Sequence, residues 1–181
     1  MTDDTHGPVL PIAPIPPDDL TRHLTVVSAD DDGLTHIGLV GDTYTVLISG
    51  QDTGGRFCLI DMLIPPGGGP GPHRHDFEEM FTLLEGQLEF TFRGQKLMAR
   101  AGQTVNVPAN APHFFSNACA DTVHLLCLCA PAGQEEFFAA VGDRVATRTS
   151  VAPRLDGDAL AQRLDKIRDL APRYRSELLD P

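Results

Sequence analysis

The chain has 181 residues, of which 41% are hydrophobic and 22% are charged, as expected for a globular protein of one compact domain. Its 25 acidic residues outnumber its 14 basic ones, so the formal net charge is −11, and such a surface repels nucleic-acid phosphates and anionic lipid headgroups. No apolar run approaches the ~20 residues that span a bilayer, and the acidic start Met1–Asp4 differs from the basic start of a signal peptide. We therefore expect a cytoplasmic protein that binds neither nucleic acid nor membranes.

The N-terminal segment is rich in proline and aspartate. Five prolines lie within Pro8–Pro17, and three consecutive aspartates follow at Asp30–Asp32. This composition is typical of chain that does not enter a regular core. We expect residues 1–43 to form an arm that wraps a surface or stays mobile.

Short β-rich runs separated by glycine and proline follow, and they predict an all-β sandwich or barrel over residues 44–131. Apolar and polar residues alternate along Gln87–Arg93, which gives that strand one buried face. Glu85-Gly86 and Arg93-Gly94 predict hairpin turns. The predicted strands are Tyr44–Ser49, Arg56–Ile64, Glu79–Leu84, Gln87–Arg93, Gln95–Arg100, Thr104–Val107, His113–Asn117 and Thr122–Ala130.

The C-terminal part has the period of amphipathic helices. Gln134–Val141 and Asp158–Ala171 are the two predicted helices, and the second carries an apolar stripe through Leu164 and Ile167. Both are too short and too one-sided to form a second domain. We expect residues 132–181 to form short C-terminal helices that pack on the barrel or on a partner subunit.

The four cysteines are Cys58, Cys119, Cys127 and Cys129, and no two of them form a Cys-x-x-Cys pair. We interpret them as reduced, buried packing residues. Cys127 and Cys129 share one face of a predicted strand, so a metal or redox role for this pair is the alternative.

A glycine-bounded run with the spacing G-x5-H-x-H-x3-E-x6-G concentrates the side chains that can do chemistry. His73 and His75, two residues apart on a strand, present both imidazoles to one ion. Glu79 has the same parity, but a straight strand would carry it ~20 Å beyond His73, so the chain must bend near Asp76. The bend would return Glu79 as an oxygen ligand beside two nitrogens, a set that suits iron, manganese, nickel, copper or zinc.

A second run supplies one more histidine. Its residues Gly102, Pro108, His113 and Asn117 match the pattern G-x5-P-x-G-x2-H-x3-N, with Asn110 in place of the inner glycine. Asparagine is the residue other than glycine that best tolerates a left-handed turn, so the match survives this departure. Together the two runs resemble the two motifs of the cupin superfamily.

The resemblance covers roughly residues 46–130 and implies a small jelly-roll β-barrel that holds one divalent transition metal ion. The implied ligands are His73, His75, Glu79 and His113. A lone His-x-His pair is weak evidence for a metal site, whereas the joint match of both motifs is strong. A metal-free barrel is the alternative.

Three further segments look most like those of small, single-domain, quercetinase-type cupins: Pro65–His73, Phe77–Phe81 and Pro131–Phe138. This resemblance implies a dioxygenase that opens the ring of a flavonol or a related enolic aromatic. Its partners would be a small-molecule substrate and dioxygen. In that scheme Glu79 is both a metal ligand and the base that takes the substrate's hydroxyl proton.

The sequence leaves open which residues contact a substrate and which function the protein has. The inward-facing rings of Phe81, Phe90 and Phe115 are candidates for substrate contact. His124 is expected to be hydrogen-bonded in the core or to support a ligand. Fold does not determine function, so a non-catalytic metal-binding or small-molecule-binding cupin, an isomerase and a decarboxylase remain alternatives. Because cupins are commonly dimeric, the resemblance also implies a homodimer.

Overall fold

The computed structural model describes residues 14–180, in which two antiparallel β-sheets and a helical tail follow a largely exposed segment without helix or strand at residues 14–34. Residues 1–13 of the predicted arm lie outside the described residues. In chain order the strands are β1 Thr35–Leu39, β2 Asp42–Ile48, β3 Cys58–Ile64, β4 His73–His75, β5 Glu78–Glu85, β6 Gln87–Phe92, β7 Gln95–Arg100, β8 Thr104–Val107, β9 His113–Ser116, β10 Val123–Ala130, β11 Asp143–Arg144 and β12 Ser176–Leu178. The helices are α1 Gly50–Thr53, α2 Gln134–Val141 and α3 Gly157–Leu170, and a 3-10 turn follows at Ala171–Tyr174.

The two sheets share one hydrophobic core. The larger sheet has the strand order β11-β1-β2-β3-β10-β5-β8, and the smaller one has the order β12-β4-β9-β6-β7. Alternation along β5 and β10 turns Phe81 and Leu125 inward. The ring of Phe81 meets those of Phe90 and Phe115 from the other sheet, with centroids 5.5 and 5.3 Å apart. The predicted all-β jelly-roll fold is thereby confirmed.

The C-terminal part packs against this barrel. Phe137, Phe138 and Ile167 are buried in the shared core, and the Phe138 ring lies 4.7 Å from that of Tyr44. Helix α2 has the predicted bounds, and α3 begins and ends one residue earlier than predicted. Strand β12 then pairs with β4, which brings the end of the chain beside the first two histidines of the motif. None of the helices within residues 14–180 combines the length and the apolar character needed to cross a lipid bilayer.

The larger sheet begins earlier than the sequence predicts, because β1 lies inside the segment assigned to the arm. Ile37 is only 1% exposed and belongs to the core. The turn from β1 to β2 uses Val40 and Gly41, whose φ angles are +52° and +98°. A β-branched residue rarely adopts a positive φ, so Val40-Gly41 does not predict a turn from sequence. The aspartates at Asp30–Asp32, which are typical of irregular chain, led to the assignment of β1 to the arm.

Only one of the two predicted hairpin turns is present. Arg93-Gly94 joins the paired strands β6 and β7, and both of its residues have the positive φ of a two-residue hairpin. At Gly86, in contrast, the chain passes from the larger sheet to the smaller one, because β5 pairs with β10 and β8 and not with β6. The φ of Gly86 is +79°, and a Cβ atom there would come within 2.9 Å of Cγ2 of Val123, so backbone conformation and packing both favour glycine at this crossing.

Candidate metal centre

The four side chains of the two motifs converge at one place inside the barrel. His73 and His75 lie on β4, and His73 is directly opposite His113 of β9. The chain then bends at Asp76-Phe77 and crosses to the larger sheet, as predicted, so that Glu79 of β5 returns over the histidines. One potential ligand atom from each of the four residues lies within 4.8 Å of the other three.

One carboxylate oxygen stands at the centre of this group. Oε2 of Glu79 is 3.0 Å from Nε2 of His75 and 3.1 Å from Nε2 of His113. All three side chains are buried, with exposed fractions of 3%. His73 is partly exposed and faces a cavity above the group. The group therefore consists of three buried potential metal ligands and a fourth, His73, that a molecule in the cavity can reach.

Each histidine is oriented by a backbone carbonyl two residues away. The Nδ1 atoms of His73, His75 and His113 all lie 2.9 Å from such an oxygen. A carbonyl can only accept, so Nδ1 of each ring carries a proton. Nε2 is then the nitrogen that can bind a metal ion when it is unprotonated or, in His75 and His113, donate to Glu79 when it is protonated. The ring of Phe77 stacks on that of His75 at 3.8 Å and fixes its plane further.

The electrostatics of the group suit a divalent transition ion. Burial alone would raise the pKa of Glu79, but the hydrogen bonds from His113 and His75 outweigh burial, so the pKa lies below its ordinary value. Burial and the neighbouring His113 lower the pKa of His73 to about 4, which keeps its ring neutral at pH 7. Three imidazole nitrogens and one carboxylate oxygen form a donor set typical of such ions, and these four residues would hold one.

The second oxygen of Glu79 lies against two thiols. Oε1 is 3.3 Å from Sγ of Cys127 and 3.7 Å from Sγ of Cys129. Burial raises the pKa of Cys127 to about 12, so its thiol stays protonated and donates to the carboxylate. All four cysteines are free, and Cys119 is only partly buried, contrary to expectation, because it lies in the loop before β10.

A cavity of about 320 Å³ opens above the centre, a size that suits a small organic ligand. His73 and Glu79 form part of its wall. Its apolar wall combines side chains of the barrel with side chains of α2. The barrel contributes Met62, Phe81 and Phe115, and α2 contributes Phe137, Phe138 and Val141. The helical tail therefore completes the pocket that the barrel begins.

The three predicted pocket aromatics do not occupy equivalent positions. Phe81 and Phe115 line the cavity. Phe90 packs against both of their rings, with centroids 5.5 Å away in each case, and lines a smaller cavity of about 110 Å³. Phe90 thus supports the two rings that a ligand in the main cavity would touch.

Sequence reasoning missed a polar pair on the cavity wall. The hydroxyl of Tyr44 donates to Oδ2 of Asp42 at 2.9 Å, and the backbone N–H of Gly69 donates to Oδ1 at 3.3 Å. Asp42 and Tyr44 are 1% and 5% exposed and line the cavity. Asp42 and Tyr44 are two residues apart on β2, so the alternation of a strand places them on one face, and this signal could have identified the pair. Asp42, however, lies in the segment predicted to be the arm.

The burial of Asp42 predicts a stability that depends on pH. Burial raises its pKa from 3.8 to about 7, and the hydrogen bonds from Tyr44 and Gly69 offset this only in part. The folded state therefore holds a proton that the unfolded state releases between about pH 4 and 7, so stability falls as the pH rises through this window. The total loss is roughly 4 kcal/mol, from the difference between 3.8 and about 7 at 1.36 kcal/mol per pH unit.

We expect Asp42→Asn to remove this loss. Denaturant unfolding at pH 5 and pH 8 measures the pH dependence in the variant and the wild type, and the variant's free energy of unfolding should fall less over this interval. Asp32→Asn is the matched control, because Asp32 is exposed. An equal change in the free energy of unfolding between pH 5 and pH 8 for Asp42→Asn and the wild type would contradict the prediction.

His124 lies on the opposite face of the larger sheet from the centre. Its Nε2 atom is 2.5 Å from Oδ2 of Asp61 and 2.8 Å from the guanidinium of Arg148. Arg148 also donates to Oδ1 of Asp61 at 2.8 Å. His124 is therefore hydrogen-bonded, as predicted, but in a network that joins the sheet to the segment after β11.

Comparisons with known proteins agree with the fold. Residues 60–129 match the model of the cupin domain. The chain is 29% identical over 107 residues to quercetin 2,3-dioxygenase of Bacillus subtilis (strain 168), a match over 58% of this chain and 32% of that protein. It is also 29% identical over 102 residues to the HTH-type transcriptional regulator PuuR of Escherichia coli (strain K12), over 56% of this chain and 54% of that protein.

Among solved structures, a predicted oxalate decarboxylase of Thermotoga maritima is similar, with a TM-score of 0.54 and 20% identity. The similarity covers 59% of this chain and 99% of that one. At this identity it shows the fold alone. The chain spans between about a third and about half of the length of the curated relatives it matches.

Proposed function

We propose, from the premise that this chain is a member of the cupin superfamily, that it is a metal-dependent dioxygenase acting on a small enolic or phenolic aromatic. The observation that carries the proposal is the position of the centre. Three imidazole nitrogens and one carboxylate oxygen converge at the wall of a cavity whose other walls are largely apolar and aromatic. The sequence similarity to a quercetin 2,3-dioxygenase supports the same reaction class.

The proposed activity requires one divalent transition ion, which His73, His75, Glu79 and His113 would hold. When bound, such an ion supplies a Lewis acid that stabilises negative charge on a substrate oxygen. The protein supplies the orientation of the ligands through the three Nδ1 hydrogen bonds described above.

Glu79 has the position of a general base. Its Oε2 atom lies in the group that borders the cavity, and its Oε1 atom is held by the thiol of Cys127. Its lowered pKa keeps this carboxylate ionised at neutral pH, so it can accept a hydroxyl proton from a substrate in the cavity. The rings of Phe81 and Phe115 would lie against a flat substrate and exclude water from it.

Metal analysis followed by an oxygen-uptake assay tests the proposal. We expect close to one transition ion per chain by mass spectrometry, and oxygen consumption when the flavonol quercetin is added to the protein. Oxalate serves as the comparison substrate, with release of carbon dioxide as its readout. Metal-loaded protein that consumes no oxygen with quercetin, or that decarboxylates oxalate, would contradict the dioxygenase assignment.

A non-catalytic binding module is the second candidate, because the chain also matches a transcriptional regulator. In that case quercetin or another small ligand would bind without oxygen uptake. The formal charge of −11 disfavours direct contact with nucleic acid, and its absence among the partners stays a prediction. The homodimer and the cytoplasmic location also stay predictions.

A further inference from the structure

Two buried thiols cluster with the second oxygen of Glu79, and the proposed function uses them only as hydrogen-bond donors. Cys127 and Cys129 lie two residues apart on β10, so both side chains point to the inner face of the sheet. Oε1 of Glu79 is 3.3 Å from Sγ of Cys127 and 3.7 Å from Sγ of Cys129, and the two sulfur atoms are 3.6 Å apart. Both thiols are free, so three potential metal ligands face one another in the core.

The three separations match three corners of a tetrahedral metal site. An ion at the usual zinc distances of about 2.3 Å from sulfur would make an angle of about 103° with two sulfur atoms 3.6 Å apart. With the oxygen at about 2.1 Å, the separations of 3.3 and 3.7 Å give angles of about 97° and about 114°. All three angles are close to the tetrahedral value of about 109°. Such an ion would lie within about 1 Å of the plane of its three ligand atoms, so it needs no separate cavity.

The chemistry and the surroundings of the cluster suit a soft divalent ion. Thiolates are the ligands that thiophilic ions prefer, and a dication that binds here releases the two thiol protons. Oε2 of Glu79 faces His75 and His113, whereas Oε1 faces the thiols, so each site has an oxygen of its own. Cys58 of β3 is directly opposite Cys129 and fully buried, which adds a third thiol beside the cluster. Because Glu79 also lines the open cavity, an ion can reach the thiols without displacing the histidines.

We propose that Cys127, Cys129 and Oε1 of Glu79 form a second metal site, for a thiophilic divalent ion of the zinc and cadmium class, beside the histidine centre. The Glu79 carboxylate bridges the two sites, with one oxygen directed to each. Until a thiophilic ion is supplied, the thiols keep their protons and their hydrogen bonds to Glu79. The inference does not depend on the reaction proposed for the histidine centre, because it concerns a different set of donors.

Anaerobic titration with cadmium tests the inference, because cadmium bound to thiolate has an ultraviolet charge-transfer band that cadmium bound to imidazole or carboxylate lacks. Starting from purified protein of measured metal content, we expect the band to saturate at one added cadmium ion per chain. In the double variant Cys127→Ala/Cys129→Ala the band should be lost, and the affinity for this ion should fall at least about a hundredfold. Cys119→Ala is the matched control and should keep the band, because Cys119 is a free thiol outside the cluster.

The variant His73→Ala/His113→Ala separates the two sites. When folded, it should keep the sulfur-to-cadmium band, because Oε1 of Glu79 and both thiols remain. X-ray absorption spectroscopy of the cadmium-loaded wild type needs no variant, and it should show at least two sulfur ligands. The second site is overturned by a wild type without the band or with cadmium bound only through nitrogen and oxygen, and equally by a band that persists in the folded double-cysteine variant or disappears in the folded histidine variant. The oxygen-uptake assay tests the proposed function separately from all of these outcomes.

Discussion

The double variant His73→Ala/His113→Ala is expected to lose its metal while it remains folded. His73 and His113 lie opposite each other on β4 and β9, and together they provide two of the four potential ligand atoms. Loss of a group that merely supports a ligand already costs ~10–100-fold in metal affinity, so loss of two ligands should cost at least about a hundredfold. Metal content after gel filtration measures the effect, and circular dichroism confirms that the barrel persists.

His23→Ala is the control for this experiment, because His23 is exposed and lies far along the chain from both motifs. It should retain the wild-type metal content. If the folded double variant still carries one ion per chain, the assignment of the centre is wrong, and the thiols beside Glu79 become the next ligands to test.

The Glu79→Gln variant is expected to keep the metal, more weakly bound, and to lose turnover by at least about a hundredfold, the lower limit typical of general-base catalysis. Glutamine preserves the size of the side chain and one oxygen donor but removes the charge and most of the basicity. Its oxygen can take the place of Oε2 beside His75 and His113, with the amide nitrogen turned toward Cys127. Oxygen uptake with quercetin at saturating metal measures the loss.

Glu78→Gln provides a matched control on the neighbouring residue. Glu78 is exposed and accepts hydrogen bonds from Asn106 and from the backbone N–H of Ala109, on the other side of β5 from Glu79. Its replacement should leave turnover at the wild-type rate. Wild-type turnover in metal-loaded Glu79→Gln would place the base elsewhere. Asp42 of the cavity wall would be examined before His124, because His124 lies on the opposite face of the sheet.

Local pattern was sufficient for most of the fold. Strands from β2 to β10 other than β4 appear within two residues of their predicted bounds, because alternation of apolar and polar residues reports directly which face of a strand is buried. Helix α2 has the predicted bounds for the same reason. In a helix the buried positions repeat every 3.6 residues, whereas in a strand they repeat every 2. The four candidate ligands were implied by the resemblance of two short motifs to those of the cupin superfamily, because each motif keeps its residues within a short segment.

The tertiary structure alone decided the features that depend on contacts between distant segments. Strand β1 exists because it pairs with β2 and β11, and the chain changes sheet at Gly86 because β5 pairs with β10 and β8 and not with β6. The cavity wall is of the same kind: Asp42 of β2 and Phe138 of α2 line one cavity only because α2 closes the barrel. A local pattern records which face of an element is buried but not what that face is buried against. The sequence by itself therefore determined most of the barrel strands and the two motifs, whereas packing of the tail on the barrel determined the shape and chemistry of the cavity above them.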